Sequence, residues 1–312
     1  MIFGRVRALR ENGVLGINRR NAEYTLVYNA RRLYPLVDDK MLTKNLARAA
    51  GIAIPELYCV VEIERQIAAL PSLWHEYTDF VIKPARGSGG NGIVVIAERS
   101  KNRYCKASGI FVDESELTYH VSNILGGMYS LGGQPDKALI EYRVKFDPVF
   151  EHITHLGVPD IRIIVFLGVP VMAMVRLPTR MSDGRANLHQ GAIGVGIDIA
   201  TGKTLTAVWN NSIVTEHPDT GNTVTDIEVP YWDSMLEIAS RCYELTGLGY
   251  MGVDLVLDRD KGPLMLEINA RPGLNIQIAN GRGLLHRLKQ IQTDIDRLKT
   301  TGEKVLYAKQ CF

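Results

Sequence analysis

The sequence predicts an α+β fold built on antiparallel sheets, and three observations carry that expectation. Short apolar, β-prone runs follow one another through hairpin-length connections, as where residues 161–167 and 170–177 are joined through Leu167-Gly168-Val169-Pro170. Helical stretches lie among these runs without the regular strand–helix alternation of a parallel sheet. The 312 residues, 46 % hydrophobic and 22 % charged, describe an ordinary globular chain with enough core for one large domain or two to three smaller ones.

In chain order, residues 1–37 read as helical and basic, with Arg5, Arg7, Arg10, Arg19, Arg20, Arg31 and Arg32; such a run is a solvated helix face or a polyanion contact. A helix is expected from Asp38 or Asp39, with Leu42, Leu46 and Ala49 on one face and Gly51 ending it. Residues 80–84 and 92–97 read as two strands joined by a glycine-rich connection. Residues 114–129 form a predicted helix, broken by Gly132-Gly133-Gln134-Pro135. Strands follow at 138–142, 161–167 and 170–177. Residues 233–246 are an amphipathic helix with Met235, Ile238, Ala239, Cys242 and Leu245 on one face. A hairpin over 251–268 comes next, and residues 283–300 close the chain as a mainly polar helix.

Net charge is +2, so nothing requires nucleic acid or an anionic membrane as partner. Cys59, Cys105, Cys242 and Cys311 are far apart and lack metal-ligand spacing, which with no secretory signal makes a reducing cytoplasm the expected home. No apolar run reaches membrane-spanning length.

The hairpin carries the most chemistry. Runs 251–258 and 263–268 flank the turn-like Arg259-Asp260-Lys261-Gly262. Pairing Asp258 with Pro263 sets Asp254 opposite Glu267, and a period of two adds Asn269 to the same face. Two close carboxylates repel unless a proton or cation lies between them, and all-oxygen ligands favour a hard ion such as Mg²⁺. A solvated hairpin edge with scattered acids is the plain alternative. A second stretch is Val81-Ile82-Lys83-Pro84-Ala85-Arg86-Gly87-Ser88-Gly89-Gly90-Asn91-Gly92. Lys83 interrupts an apolar strand, and a buried ammonium needs an anionic partner. The loop after it can lay backbone N–H groups against a polyphosphate, or it is a flexible turn. It is not a Walker A motif, because its lysine precedes the loop. Asp160 and Arg162 share a face of one strand, and Arg176 ends the next; the arginines would flank one anionic group, or Arg162 would pair with Asp160. Ala186-Asn187-Leu188-His189-Gln190-Gly191-Ala192 is a loop in which His189 reads as a surface residue or a base.

Taken in order, the D-K pair at Asp39-Lys40, the I-K-P strand end, the G-S-G-G-N-G loop, the E-Y strand end at Glu141-Tyr142, the D-I-R strand, N-L-H-x-G, V-D and L-E-I-N resemble the ATP-grasp ligases. The sequence is most similar to the RimK-type glutamate ligases, whose E-x-N-x-x-P-G-L element runs here as Glu267-Ile268-Asn269-Ala270-Arg271-Pro272-Gly273-Leu274. The resemblance covers residues 39–274. It implies an ATP-grasp fold, two α+β subdomains clamping ATP, with residues 39–140 as the smaller one carrying the glycine-rich lid and 141–312 as the larger one. It implies that Lys40 and Lys83 contact ATP phosphates, that Gly87, Ser88, Gly89, Gly90 and Gly92 form the lid, and that Glu141 and Val144 present backbone to adenine. Asp147 and Glu151 are both candidates for the ribose acid. Asp254, Glu267 and Asn269 would hold two Mg²⁺ ions, with Mn²⁺ as a substitute. Arg162, Arg176 and Asn187 would surround the transferred phosphoryl group and its carboxylate acceptor.

The implied reaction is ATP-dependent amide formation between a carboxylate and an amine, glutamate or another amino acid, through an acylphosphate; a kinase and a non-catalytic nucleotide-binding protein are the alternatives. Two departures stand out. Residues 1–38 take the place of the Rossmann-like domain of about a hundred residues that such ligases usually carry, and are expected to share its acceptor-binding role or to meet a partner. Arg271 stands where the RimK-type pattern commonly has serine, as a carboxylate-binding or merely salt-bridging cation.

Overall fold

The computed structural model describes residues 2–87, 89–100 and 103–312. The chain divides into a smaller unit, Asp39–Met41 with Ile54–Lys145, and a larger one, Met1–Asp38 with Leu42–Ala53 and Phe146–Phe312. This differs from the expected division at 38/39 and 140/141. Residues 2–38 belong to the larger unit and are hydrogen-bonded into it from several points.

The smaller unit is one antiparallel sheet of β1 (Leu57–Val61), β2 (Phe80–Pro84), β3 (Val94–Ser100), β4 (Arg103–Lys106), β5 (Phe111–Val112) and β6 (Ala138–Glu141) in the order β1-β6-β2-β3-β4-β5. Its helix Glu114–Leu125 starts at Asp113, whose carboxylate accepts the Glu116 N–H at 2.9 Å while Glu116 accepts the Asp113 N–H at 2.9 Å. The helix stops at Leu125, four residues before the expected end, where the chain turns through Gly127 at φ +83°. Its buried face meets a core in which Trp74 stacks on Phe80, ring centroids 4.9 Å apart. β1, β4 and β5 were not expected from the sequence.

The larger unit is a seven-stranded antiparallel sheet of β7 (Asp160–Phe166), β8 (Val169–Leu177), β9 (Ile193–Ile197), β10 (Thr204–Trp209), β11 (Ser212–Val214), β12 (Tyr250–Asp258) and β13 (Gly262–Asn269), ordered β11-β10-β9-β8-β7-β12-β13. Alternation along β12 gives it two faces. Met251 and Met265 lie against Thr246 and Cys242 of the helix Trp232–Thr246 (sulfur contacts of 3.9 and 3.6 Å), so Met251, Val253 and Leu255 form the helix face. Tyr250, Gly252 and Asp254 form the other face, with their partners Phe166, Ile164 and Arg162 on β7.

Residues 17–34 pack on that second face. A π-helical turn over Arg20–Thr25 brings Tyr24 to Phe166 (5.6 Å, edge-on) and to Tyr250 (6.0 Å), and Tyr28 to Phe166 (4.9 Å, edge-on). Buried Asn29 donates to the Tyr250 and Ala270 carbonyls at 2.7 and 3.0 Å and accepts the Tyr250 N–H at 2.9 Å, which pins the open end of the β12–β13 hairpin. Leu15 and Gln277 exchange hydrogen bonds of 2.8 and 3.0 Å.

Asp39 caps the helix Lys40–Ala49 through the Met41 N–H at 2.9 Å. That helix buries Thr43, Lys44 and Ala47; Leu42, expected inside, is 42 % exposed and Ala49 is exposed too. The helix predicted over 283–300 is shorter, Leu285–Asp294, and a further helix, Thr301–Cys311, follows with Thr300 as its cap. The four cysteines are free thiols. No helix among the described residues is long and apolar enough to cross a membrane.

Candidate active site

The β12–β13 hairpin reaches the expected pairing by an unexpected route. Its turn is one residue tighter than predicted: Asp258 pairs with Gly262 and Leu257 with Pro263. Continued without interruption, that register would face Asp254 with Leu266 and turn Glu267 toward the helix. A β-bulge between Met265 and Glu267 absorbs one residue, so Asp254 pairs with Glu267 and Gly252 with Asn269. The Asn269 amide nitrogen lies 3.2 Å from Asp254 Oδ2 and 3.3 Å from Glu267 Oε1, so both carboxylates reach one point.

Two arginines compensate this charge. Arg162, opposite Asp254 on β7, grips it bidentately, Nε to Oδ1 at 2.7 Å and Nη2 to Oδ2 at 2.5 Å. Arg176, opposite Asp160, holds that carboxylate bidentately and also donates from Nη2 to Asp254 Oδ2 at 2.9 Å. The two arginines thus flank one anionic group, the Asp254 carboxylate, whereas the alternative Arg162–Asp160 pair is replaced by Arg176–Asp160, giving a chain Asp160–Arg176–Asp254–Arg162. Burial alone would push the Asp254 carboxyl up, but Arg162 and Arg176 override it and hold it well below the usual carboxylate range. Asp160, with one principal arginine and Asp254 nearby, is pushed up by burial to about 6. Burial disfavours charge on Arg176 too, yet Asp160 and Asp254 raise it above its ordinary value. Among the described residues, Nη1 of Arg162 and Nη1 of Arg176 make no hydrogen bond, so each fork keeps a donor for an incoming anion.

The donor set fits a hard cation. Arg162 and Arg176 meet the Asp254 charge, but among the described residues no cationic side chain lies within ion-pair distance of Glu267, and turning the Asn269 amide by half a rotation would set a third oxygen beside the two carboxylates. Among the described residues, no three His, Cys, Asp or Glu side chains converge on one point, so the amide is needed to complete the set.

In the smaller unit, Lys83 and Glu141 form a buried ion pair, 7 % and 3 % exposed. Glu141 lies opposite Val81, diagonally across from Lys83, and is the anionic partner a lysine in an apolar strand requires. Lys40 Nζ donates to the Gly87 carbonyl at 2.6 Å, and the Arg86 N–H donates to Asp136 Oδ2 at 2.9 Å, fixing the start of the glycine-rich connection. Gly89, Gly90 and Gly92 have positive φ, and a Cβ on Gly92 would lie 2.5 Å from the Tyr129 ring. The Gly92 carbonyl meets His120 Nε2 at 2.9 Å, an anchor the sequence did not disclose. Ser88 lies outside the described residues.

The remaining candidates are more dispersed. Asn187 Oδ1 accepts the His189 N–H at 3.0 Å and closes its turn; among the described residues no hydrogen bond joins Asn187 to Arg162 or Arg176. His189 is exposed. Asp147 caps the turn Pro148–Ile153 through the Val149 N–H at 2.9 Å, whereas Glu151 is exposed. Val144 is buried just beyond β6. The exposed Arg271 lies with its guanidinium 4.9 Å from the Tyr34 ring centroid.

A sheet whose acid-and-arginine face is built on an E-x-N hairpin, and a second sheet carrying a buried lysine before a glycine-rich connection, define an ATP-grasp protein. Residues 19–293 match the family described as sugar-transfer associated ATP-grasp, and the chain belongs to that family. A probable alpha-L-glutamate ligase from Mannheimia succiniciproducens is 25 % identical over 243 residues, 78 % of this chain and 58 % of that protein. One from Pseudomonas putida strain F1 is 27 % identical over 137 residues, 44 % of this chain and 34 % of that protein. The chain therefore spans little more than half the length of the first relative and about a third of the second. The crystal structure of a D-alanine–D-alanine ligase from Bacillus anthracis is 14 % identical, with a TM-score of 0.46 over 89 % of this chain and 70 % of that one.

Proposed function

We propose that the chain is an ATP- and Mg²⁺-dependent carboxylate–amine ligase working through an acylphosphate, with glutamate or another amino acid as the amine. The observation that carries this reading is the hairpin register setting Asp254 opposite Glu267, with Asn269 on the same face and two bidentate arginines alongside. Relatives named as probable alpha-L-glutamate ligases support the choice of amine.

A carboxylate resists amines because its leaving group would be oxide. Moving the γ-phosphoryl group of ATP onto it makes an acylphosphate, whose leaving group is phosphate; the amine then attacks, releasing phosphate and forming the amide. Glu267, Asp254 and Asn269 would hold Mg²⁺, which when bound neutralises phosphate charge. Arg162 and Arg176 would donate their remaining N–H groups to the oxygens in flight. Lys40 and Lys83 would contact phosphates, with Gly87 to Gly92 covering them and excluding water. Glu141 and Val144 would present backbone to adenine, and Asp147 or Glu151 would take the ribose. No protein nucleophile is required.

The test is a phosphate-release screen with ATP, Mg²⁺, amino acids and candidate carboxylates, with mass spectrometry of the adduct. Free phosphate stoichiometric with ADP and amide is expected; phosphate retained on the acceptor would mean a kinase. Glu267→Gln is expected to lower turnover at least about 100-fold with an unchanged circular dichroism spectrum. Full activity in that variant would remove Glu267 from the metal role.

A further inference from the structure

Arg20 and Arg271 are neighbouring guanidiniums in the larger unit, and among the described residues neither lies within ion-pair distance of a carboxylate. Arg20 is 6 % exposed and, among the described residues, donates only to neutral groups: Asn21 Oδ1 at 2.7 and 3.1 Å, the Pro272 carbonyl at 2.6 Å and the Arg271 carbonyl at 3.4 Å. A buried guanidinium is costly without a counter-ion, and a second cation beside it adds repulsion. Around the pair lie hydroxyls with no hydrogen bond among the described residues: Tyr34, whose ring lies under Arg271, and Tyr250, fully buried and next to Arg20. Arg20 serves as a strut for the loop after Asn269, which accounts for its carbonyl bonds. The exposed Arg271 guanidinium, held over the Tyr34 ring two residues beyond Asn269 of the candidate metal site, keeps its N–H donors open to an incoming anion.

We infer that Arg271, supported on Tyr34 and backed by Arg20, is the seat of a carboxylate that the substrate carries besides its reacting group. The recognised class is then an amino acid or an acidic peptide, held by a charge-assisted fork. Arg271 touches the substrate; Arg20 is a positioning residue acting through the 271–272 carbonyls. Residues 17–34 would thereby wall one side of the site face and supply substrate specificity. The assignment of the anion to a ligase substrate rests on the function proposed above.

The test reads binding, so that it can fail or succeed separately from ligase turnover. The full chain is titrated calorimetrically with glutarate and with neutral glutaramide, with and without Mg²⁺ and a non-hydrolysable ATP analogue. Saturable glutarate binding is expected, with none for glutaramide. Arg271→Gln should weaken it at least about tenfold, while Arg271→Lys keeps part of it and Tyr34→Leu lowers it without changing the fold. Inorganic phosphate is the second probe, titrated with the ATP analogue bound: phosphate binding tighter than that of glutarate, and lost in Arg271→Gln, would overturn the carboxylate assignment. Equal affinity of glutarate for Arg271→Gln and the parent, or no discrimination between glutarate and glutaramide, would overturn the site itself. A protein that binds glutarate through Arg271 yet forms no amide would fail as a ligase while keeping this seat.

Discussion

Asn29 shows how much one side chain can organise. Its amide satisfies the Tyr250 N–H, the Tyr250 carbonyl and the Ala270 carbonyl at once, and the residue is 2 % exposed. Those partners are 221 and 241 residues away, so no local pattern could have announced them. Removing the amide strands three buried backbone groups, each costing about 1–3 kcal/mol when unsatisfied. Asn29→Ala is therefore expected to lower unfolding free energy by about 3–5 kcal/mol, read as a shift of the urea midpoint. Asn29→Asp keeps the acceptor and loses the donor, and it should fall no closer to the parent than half that loss; parental stability in both variants would deny the clamp. Lys83 was legible in a different way. An ammonium in an apolar strand had to have an anionic partner, but only the sheet pairing identifies it as Glu141.

The β12–β13 hairpin was legible at the level of the element because alternation and turn composition are local properties. Its detail was not. The predicted four-residue loop and the observed tighter turn with a bulge lead to the same Asp254–Glu267 pairing. The helix Thr301–Cys311, the strands β9 to β11 and the short β1, β4 and β5 are not legible in the sequence because their burial is set by neighbours distant along the chain. The bulge yields a test with two arms. Deleting Leu266 converts the bulge to regular alternation and leaves Glu267 and Asn269 on the site face, so the fold and nucleotide-dependent phosphate release should survive in measurable amount. Deleting Ile268, which is buried against the helix face, turns Asn269 away from the acids. Release should then fall at least about 100-fold. Equal activity in the two deletions would mean that the side on which Asn269 lies does not matter.

At the scale of the whole molecule, the α+β class and the antiparallel sheets follow from strand-length apolar runs with short connections, whereas the unit to which residues 1–38 belong does not. Nothing in a basic segment discloses that Tyr24, Tyr28 and Asn29 bury against a sheet begun more than a hundred residues later. A similarly hidden group, His217, is fully buried in the larger unit and is expected to make its stability fall in acid. Its Nε2–H donates to the Pro178 carbonyl at 3.0 Å, and its Nδ1 accepts the Asp219 N–H at 3.2 Å, which fixes the neutral tautomer. A proton on Nδ1 would face that N–H. Burial pulls the imidazole below its ordinary 6.5, and His155 adds to this, although the Pro178 carbonyl and the Asp219 charge act the other way. A lowered folded-state value means that below about pH 6.5 the unfolded chain takes up a proton the folded chain refuses, so stability falls as pH falls. The slope cannot exceed about 1.4 kcal/mol per pH unit for one group. Unfolding of the larger unit, followed by Trp209 and Trp232 fluorescence in a Trp74→Phe background, should weaken more steeply between about pH 7 and pH 5 in the parent than in His217→Gln. Gln at this position supplies an uncharged donor and acceptor and has no proton to gain. Parallel pH profiles for the two proteins would show that His217 is not the group that titrates.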